Sequence, residues 1–305
     1  MKRKVNLAGP TTLTVSLPSK WAKQHGIKKG DEIEVVEEGD KIIISTSPQS
    51  TKKETTIIIP KVEDYLARFL YSPYVKGYDV INIKYDDAKV YDKILETSKL
   101  LMGFEIIENN PKSCRLVNIS TKLEQNFDVL LGRLFLSGIT FGKELLSRLK
   151  SDDWKNLRGL HEYELNVNRV SLFCRRVIQT GSAGNVKYPL YSIYSIIGNL
   201  EEFVDPFRDI IEMIGEKKVK LSKKTTDILQ DCILLQELNF KIFNQLSKGS
   251  DIASQLELFK EHKKVRNRIR HELGYFQNDA INSYICGKVA GSIEASHHIS
   301  EELFY

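Results

Sequence analysis

The chain has 305 residues, 41% apolar and 28% charged, with a net charge of +5. That length accommodates two or three domains, and the balance excludes both a disordered chain and a lone binding peptide. There is no run of about eighteen apolar residues, and Met1-Lys2-Arg3-Lys4-Val5 opens no apolar leader, so a soluble cytoplasmic protein is expected. Cys114, Cys174, Cys232 and Cys286 are widely spaced, without a CxxC pair, and read as reduced core residues rather than zinc or redox ligands.

The first fifty residues are polarised in charge. Between Lys2 and Gly30 stand Lys2, Arg3, Lys4, Lys20, Lys23, Lys28 and Lys29 and no carboxylate, whereas Asp31, Glu32, Glu34, Glu37, Glu38 and Asp40 crowd the positions that follow. Thr12 to Leu17 alternates polar and apolar side chains, the period of a half-buried strand, and Pro18 ends it. Ser19 is placed to cap a short helix, Lys20 to His25, closed by Gly26. Two strands, Asp31 to Val36 and Lys41 to Ser45, flank a Glu37-Glu38-Gly39-Asp40 turn. So few large apolar side chains make a marginal core, which predicts pairing with a second copy. Ser45 to Glu54 is polar, holds Pro48 and reads as a linker.

From Thr55 the pattern changes: strand Thr56 to Ile59, helix Val62 to Leu70, strand Val80 to Lys84, helix Ala88 to Met102, strand Arg115 to Ile119. Strands separated by helices predict a small α/β segment over residues 55–121. Beyond it, apolar positions recur at helical spacing through Phe127 to Leu149, Leu157 to Gln179, Tyr188 to Ile214, Thr225 to Leu246, Ile252 to Tyr275 and Asn278 to Leu303. Pro206 is expected to kink or interrupt the third helix. Six helices in two groups of three predict a duplicated three-helix bundle over residues 122–305. The fold class is thus α+β multidomain, mainly helical.

The phrases Thr14-Val15-Ser16-Leu17-Pro18, Trp21-Ala22 and Gly26-Ile27-Lys28-Lys29-Gly30-Asp31-Glu32-Ile33-Glu34-Val35 resemble the AbrB/SpoVT/MazE family of swapped-hairpin DNA-binding domains, which covers residues 1–47 here. The resemblance implies two interlocked chains, with Arg3, Lys4, Thr11, Thr12, Lys20 and Lys23 at DNA phosphates. Physically, Lys and Arg neutralise phosphates and release counterions, while hydroxyls and backbone position the loop. The alternative is a solvated charged face on a dimerisation module.

Three further phrases resemble the archaeal form of the PhoU family of phosphate-uptake regulators: Val75 to Ile83 with Leu100 to Glu108, Glu164 to Arg169 followed by Arg175-Arg176, and Leu200 to Asp205 followed by Ile210-Ile211-Glu212. That resemblance implies carboxylates four apart on one helix face holding metal. The spacing survives at Glu201 and Asp205, with Glu164 as nearest companion. Asn168 stands where Glu164 would have a charged partner, and Ala290 and Arg266 stand where the second repeat would have ligands. At most one divalent or ferric ion is expected, in the first repeat; solvated or salt-bridged carboxylates are the competing reading.

Two other features read as structural: His297-His298 are adjacent and do not share a helix face, and Gly181 to Gly184 is an interhelical joint without the strand-to-helix setting of a phosphate loop. Lys263 to His271 is a basic stretch that suits nucleic acid, an anionic lipid surface or a partner's acidic patch, or else an exposed bundle face balanced by neighbouring acids. No nucleophile, base and orienter stand at recognisable spacing, so no enzyme is expected. The expected role is a homodimeric DNA-binding regulator of phosphate uptake whose helical part takes the input, with a phosphate transporter or signalling protein as partner. The alternative is an interaction protein that uses the N-terminal part only to dimerise.

Overall fold

The computed structural model describes residues 2–38, 41–46, 52–59, 65–120, 127–183, 186, 188–217, 220–249, 251–273 and 280–304. The expected hairpin tip at 39–40, most of the linker (47–51), the helix start at 62, and the joints at Gly184, 218–219, Ser250 and 274–279 lie outside them. The chain divides into two units, Met1–Lys52 and Lys53–Tyr305.

In the first unit, β1 (Val5–Leu7) and β2 (Leu13–Val15) form an antiparallel hairpin with Val5 opposite Val15 and Leu7 opposite Leu13. Its loop is closed by Ala8 N–H donating to the Thr12 carbonyl at 2.8 Å, and Gly9 takes the positive φ of +83° that the turn needs. The short β1 was not expected from the sequence. Helix α1 (Ser19–Gln24) starts one residue early, with Pro18 at the cap, so Ser19 makes no capping bond. Gly26, at φ +66°, ends it as expected. Strands β3 (Ile33–Glu38) and β4 (Lys41–Thr46) pair antiparallel, Glu38 against Lys41. No described side chain in this unit is fully buried.

The second unit opens with β5 (Glu54–Ile59), α2 (Leu66–Val75), β6 (Val80–Tyr85), α3 (Ala88–Ser98), β7 (Phe104–Asn110) and β8 (Ser113–Asn118). The sheet order is β5-β6-β8-β7, parallel only between β5 and β6. β7 was missed in the sequence because its outer half, Ile107 to Asn110, is exposed and mostly polar. Helix α2 also runs past Leu70 and through Pro73, whose ring is buried.

Six helices follow: α4 (Phe127–Lys150), α5 (His161–Gln179) after a 3-10 turn at Trp154–Leu160, α6 (Leu190–Lys217), α7 (Lys223–Lys248), α8 (Ile252–Leu273) and α9 (Ala280–Phe304). Of the expected kink or interruption at Pro206, the interruption does not occur: α6 is continuous through the proline. Phe203, Val204, Phe207, Ile210 and Ile211 are buried on both sides of the proline, and Ser292 Oγ of α9 donates to the Phe203 carbonyl at 2.8 Å, in the turn that proline weakens. Close approach depends on small residues: a Cβ at Gly142 of α4 would lie 2.8 Å from Ile233 of α7 and 3.2 Å from Phe207 of α6. One apolar core runs from Ile59 in the sheet to Leu303 in α9, so the α/β segment and the bundle share an interior. All four cysteines are free and buried within it; burial pushes the Cys114 and Cys286 thiols up to about 11 and Cys174 to about 12, which keeps them protonated.

Candidate functional site

The N-terminal residues named from the sequence are all exposed. Arg3 and Lys4 lead into β1, Thr11 and Thr12 lie at the β1–β2 turn, and Lys20 and Lys23 stand on α1. Beside them lies an apolar face. Val5, Leu7, Leu13 and Val15 fall on one side of the hairpin, because directly opposed residues and residues two apart share a face, and they are 63, 65, 68 and 50% exposed. On the second hairpin Val35 and Ile42 are likewise exposed.

In the larger unit the polar centre is built around two adjacent arginines that sequence reasoning did not assign to a site. Arg176 of α5 is buried and docks the α/β segment. It donates to the Tyr74 carbonyl (2.7 Å), the Tyr78 carbonyl (2.8 Å) and Asp79 Oδ1 (2.9 Å), and lies over the Tyr74 and Phe104 rings. A guanidinium at the C-terminus of α2 interacts favourably with the negative end of the helix dipole, adding to the bond that the Tyr74 carbonyl already accepts from Gly77 N–H. The same turn is tied to the start of the unit: Lys53 Nζ donates to the Lys76 carbonyl at 2.9 Å, and Asp79 N–H to the Lys53 carbonyl at 2.7 Å. Gly77 permits this docking, since a Cβ there would lie 2.7 Å from Thr180.

Arg175, one residue earlier, points the other way, into a cleft of about 800 Å3 between α2 and the α5–α6 pair. It bonds Glu201 and lies over the Tyr194 ring. Arg68, Ser72 and Lys76 supply the α2 wall, Asn168 and Gln179 the α5 wall, and Glu201, Asp205 and Arg208 the α6 wall. The pair Arg175-Arg176 in an otherwise apolar stretch, Val170 to Ile178, was the available signal.

The three expected metal carboxylates are placed as follows. Glu164 is buried and accepts from Arg208 Nη1 at 3.0 Å; Asp205 is half exposed, 3.9 Å from the same nitrogen; Glu201 is held by Arg175. Burial raises the Glu201 carboxyl against the pull of Arg175, and burial also raises Asp205, opposed by Arg208 and reinforced by Glu164. Arg208 further bonds Asp209 at 3.2 Å, which Lys288 of α9 reaches at 2.6 Å. Among the described residues no three His, Cys, Asp or Glu side chains form a group able to hold a metal ion. As placed, each of the three carboxylates faces a guanidinium: Glu164 and Asp205 face Arg208, and Glu201 faces Arg175. The second half repeats the device: Arg270 of α8 holds Glu294 of α9 at 2.7 Å, as Arg175 of α5 holds Glu201 of α6.

The remaining features take structural places. His297 sits 3.5 Å from Glu301 and its neighbour His298 is exposed. In the basic stretch of α8, Arg268 bonds Asp231 and Arg270 bonds Glu294. Gly181, at φ +73°, ends α5, with Ser182 N–H donating to the Val177 carbonyl at 3.0 Å.

Residues 9–54 match the family model described as "Antidote-toxin recognition MazE, bacterial antitoxin". No curated protein and no solved structure matches the chain. The N-terminal unit therefore carries a MazE/AbrB-like domain, and the larger unit is read from its own geometry. No helix among the described residues is long and apolar enough to cross a membrane.

Proposed function

We propose that this chain is a non-enzymatic, cytoplasmic DNA-binding regulator that acts as a homodimer: the N-terminal unit grips the duplex and the helical unit takes the input. The observation that carries this reading is the pairing, within one short unit, of an uncovered apolar hairpin face with exposed basic residues on β1, its turn and α1. A second copy covers the first; Arg3, Lys4, Thr11, Thr12, Lys20 and Lys23 meet DNA phosphates with the second. The match over residues 9–54 supports such a domain. The resemblance of Val75 to Glu108, Glu164 to Arg176 and Leu200 to Glu212 to the PhoU family supplies the process: control of phosphate uptake, with a phosphate transporter or signalling protein as partner.

Fluorescence anisotropy of the full chain on a random duplex across a salt series tests the DNA role. Affinity falls steeply with salt, and Arg3→Ala, Lys4→Ala and Lys20→Ala each lower the slope by about 1 without disturbing the dimer. The second reading is protein recognition without DNA, favoured by the description of the matched family as recognising a toxin. No binding at low salt would decide for it.

A further inference from the structure

The polar cleft between α2 and α5–α6 has an uneven charge distribution. At its α6 end the charges are matched: Arg208 is engaged by Glu164 and Asp209 and faces Asp205, and Arg175 bonds Glu201 through its Nη2. At the α2 end they are not. Arg68 and Lys76 are exposed, and among the described residues neither is ion-paired with a carboxylate; Arg68 has only the Tyr65 ring beneath it. The Nε of Arg175 is shut off from solvent without a hydrogen-bond acceptor.

We infer that this cleft binds a small phosphate-bearing anion, inorganic phosphate or a phosphate monoester, through Arg68, Lys76 and Arg175. Arg68, Ser72 and Lys76 are spaced four apart along α2, so they fall on one face and present two cations with a hydroxyl between them. Arg175 approaches from the opposite wall with its planar fork already oriented by Glu201 and Tyr194, which lowers the entropy cost of closing on a phosphate. Asn168 and Gln179 add neutral donors. A dianion matches the two positive charges of Arg68 and Lys76, which no described carboxylate pairs. At about 800 Å3 the cleft is larger than one phosphate needs, and Tyr71, Val75, Leu172 and Tyr194 leave room for the organic part of an ester. Lys76 also belongs to the turn that holds Lys53, the first residue of the larger unit.

The inference rests on the reading of the helical unit as the input-bearing part, but anion binding and DNA binding are separable by measurement. Isothermal titration calorimetry of the full chain, at fixed ionic strength, uses inorganic phosphate, adenosine monophosphate and sulfate as probes. Phosphate or the monophosphate binds, and the exposed double variant Arg68→Gln/Lys76→Gln weakens it by at least about tenfold. Arg158→Gln, an exposed arginine away from the cleft, leaves it unchanged. Whichever of the two phosphates binds identifies the source. The inference is overturned if neither binds more tightly than about 10 mM, if sulfate binds equally well, or if the double variant binds as the parent does. DNA affinity measured on the same samples isolates the other reading: loss of DNA binding with anion binding intact would remove the regulator role and keep the site.

Discussion

The two units solve the problem of burying apolar surface in opposite ways. In the larger unit Tyr74, Phe135, Phe141, Phe203 and Phe207 are fully buried, and one core joins sheet and bundle. In the N-terminal unit Val5, Leu7, Leu13 and Val15 are at least half exposed and no described side chain is fully buried. Each such side chain gains about 1.5–3 kcal/mol on burial, so the smaller unit leaves stabilising free energy uncollected within its own described residues, and the proposed second copy would supply it. In the proposed reading, the larger unit suits input, and the smaller one, once completed by a second copy, suits a two-fold grip on DNA.

Substitutions inside the larger unit sharpen that contrast, because their cost appears in unfolding rather than in association. Arg176→Ala leaves Asp79 and the Tyr74 and Tyr78 carbonyls without their guanidinium and is expected to cost about 3–5 kcal/mol, read from urea unfolding of the full chain. A cost near zero would mean that the α/β segment is not docked through this residue.

The next effect depends on pH. Burial, with the charges of Arg266 and His297, holds the His262 pKa down to about 4, against an ordinary value of 6.5. Its folded pKa is depressed, so the unfolded chain takes up the proton first. The stabilising contribution is full above about 6.5 and is lost as pH falls toward about 4, by up to about 3 kcal/mol. Unfolding free energy measured across that window for the parent and for His262→Gln should show the slope diminished in the variant. Equal slopes would place the acid sensitivity elsewhere. Smaller again, Gly142→Ala forces a methyl against Ile233 and Phe207 and should cost about 1–3 kcal/mol in the same unfolding assay; a neutral result would mean that α4 can retreat from α7.

What was readable in the sequence follows the same division. The bundle helices carry long apolar stripes, and their bounds were placed within a few residues at most described ends. β1 and β7 were missed, the first because three residues hold too little pattern and the second because its end is exposed and polar. That α6 runs uninterrupted through Pro206 was not legible, because the burial on both sides of it and the donor from Ser292 come from packing, which local pattern does not carry. For the site, spacing identified Glu201 and Asp205 as neighbours on one helix face. It could not show that Arg175 and Arg208 meet those carboxylates, since Arg175 arrives from a different helix.

The central claim is that the N-terminal unit completes its core with a second copy. Analytical ultracentrifugation of the full chain at micromolar concentration, beside Leu7→Glu/Leu13→Glu, tests it most directly. The account predicts twice the chain mass for the parent. In the variant it predicts association weakened by roughly a hundredfold or more, toward monomer, because charged side chains would have to enter the shared apolar face, with the thermal unfolding of the larger unit unchanged. A parent chain that sediments as a monomer, or a double variant that remains a dimer, would contradict it.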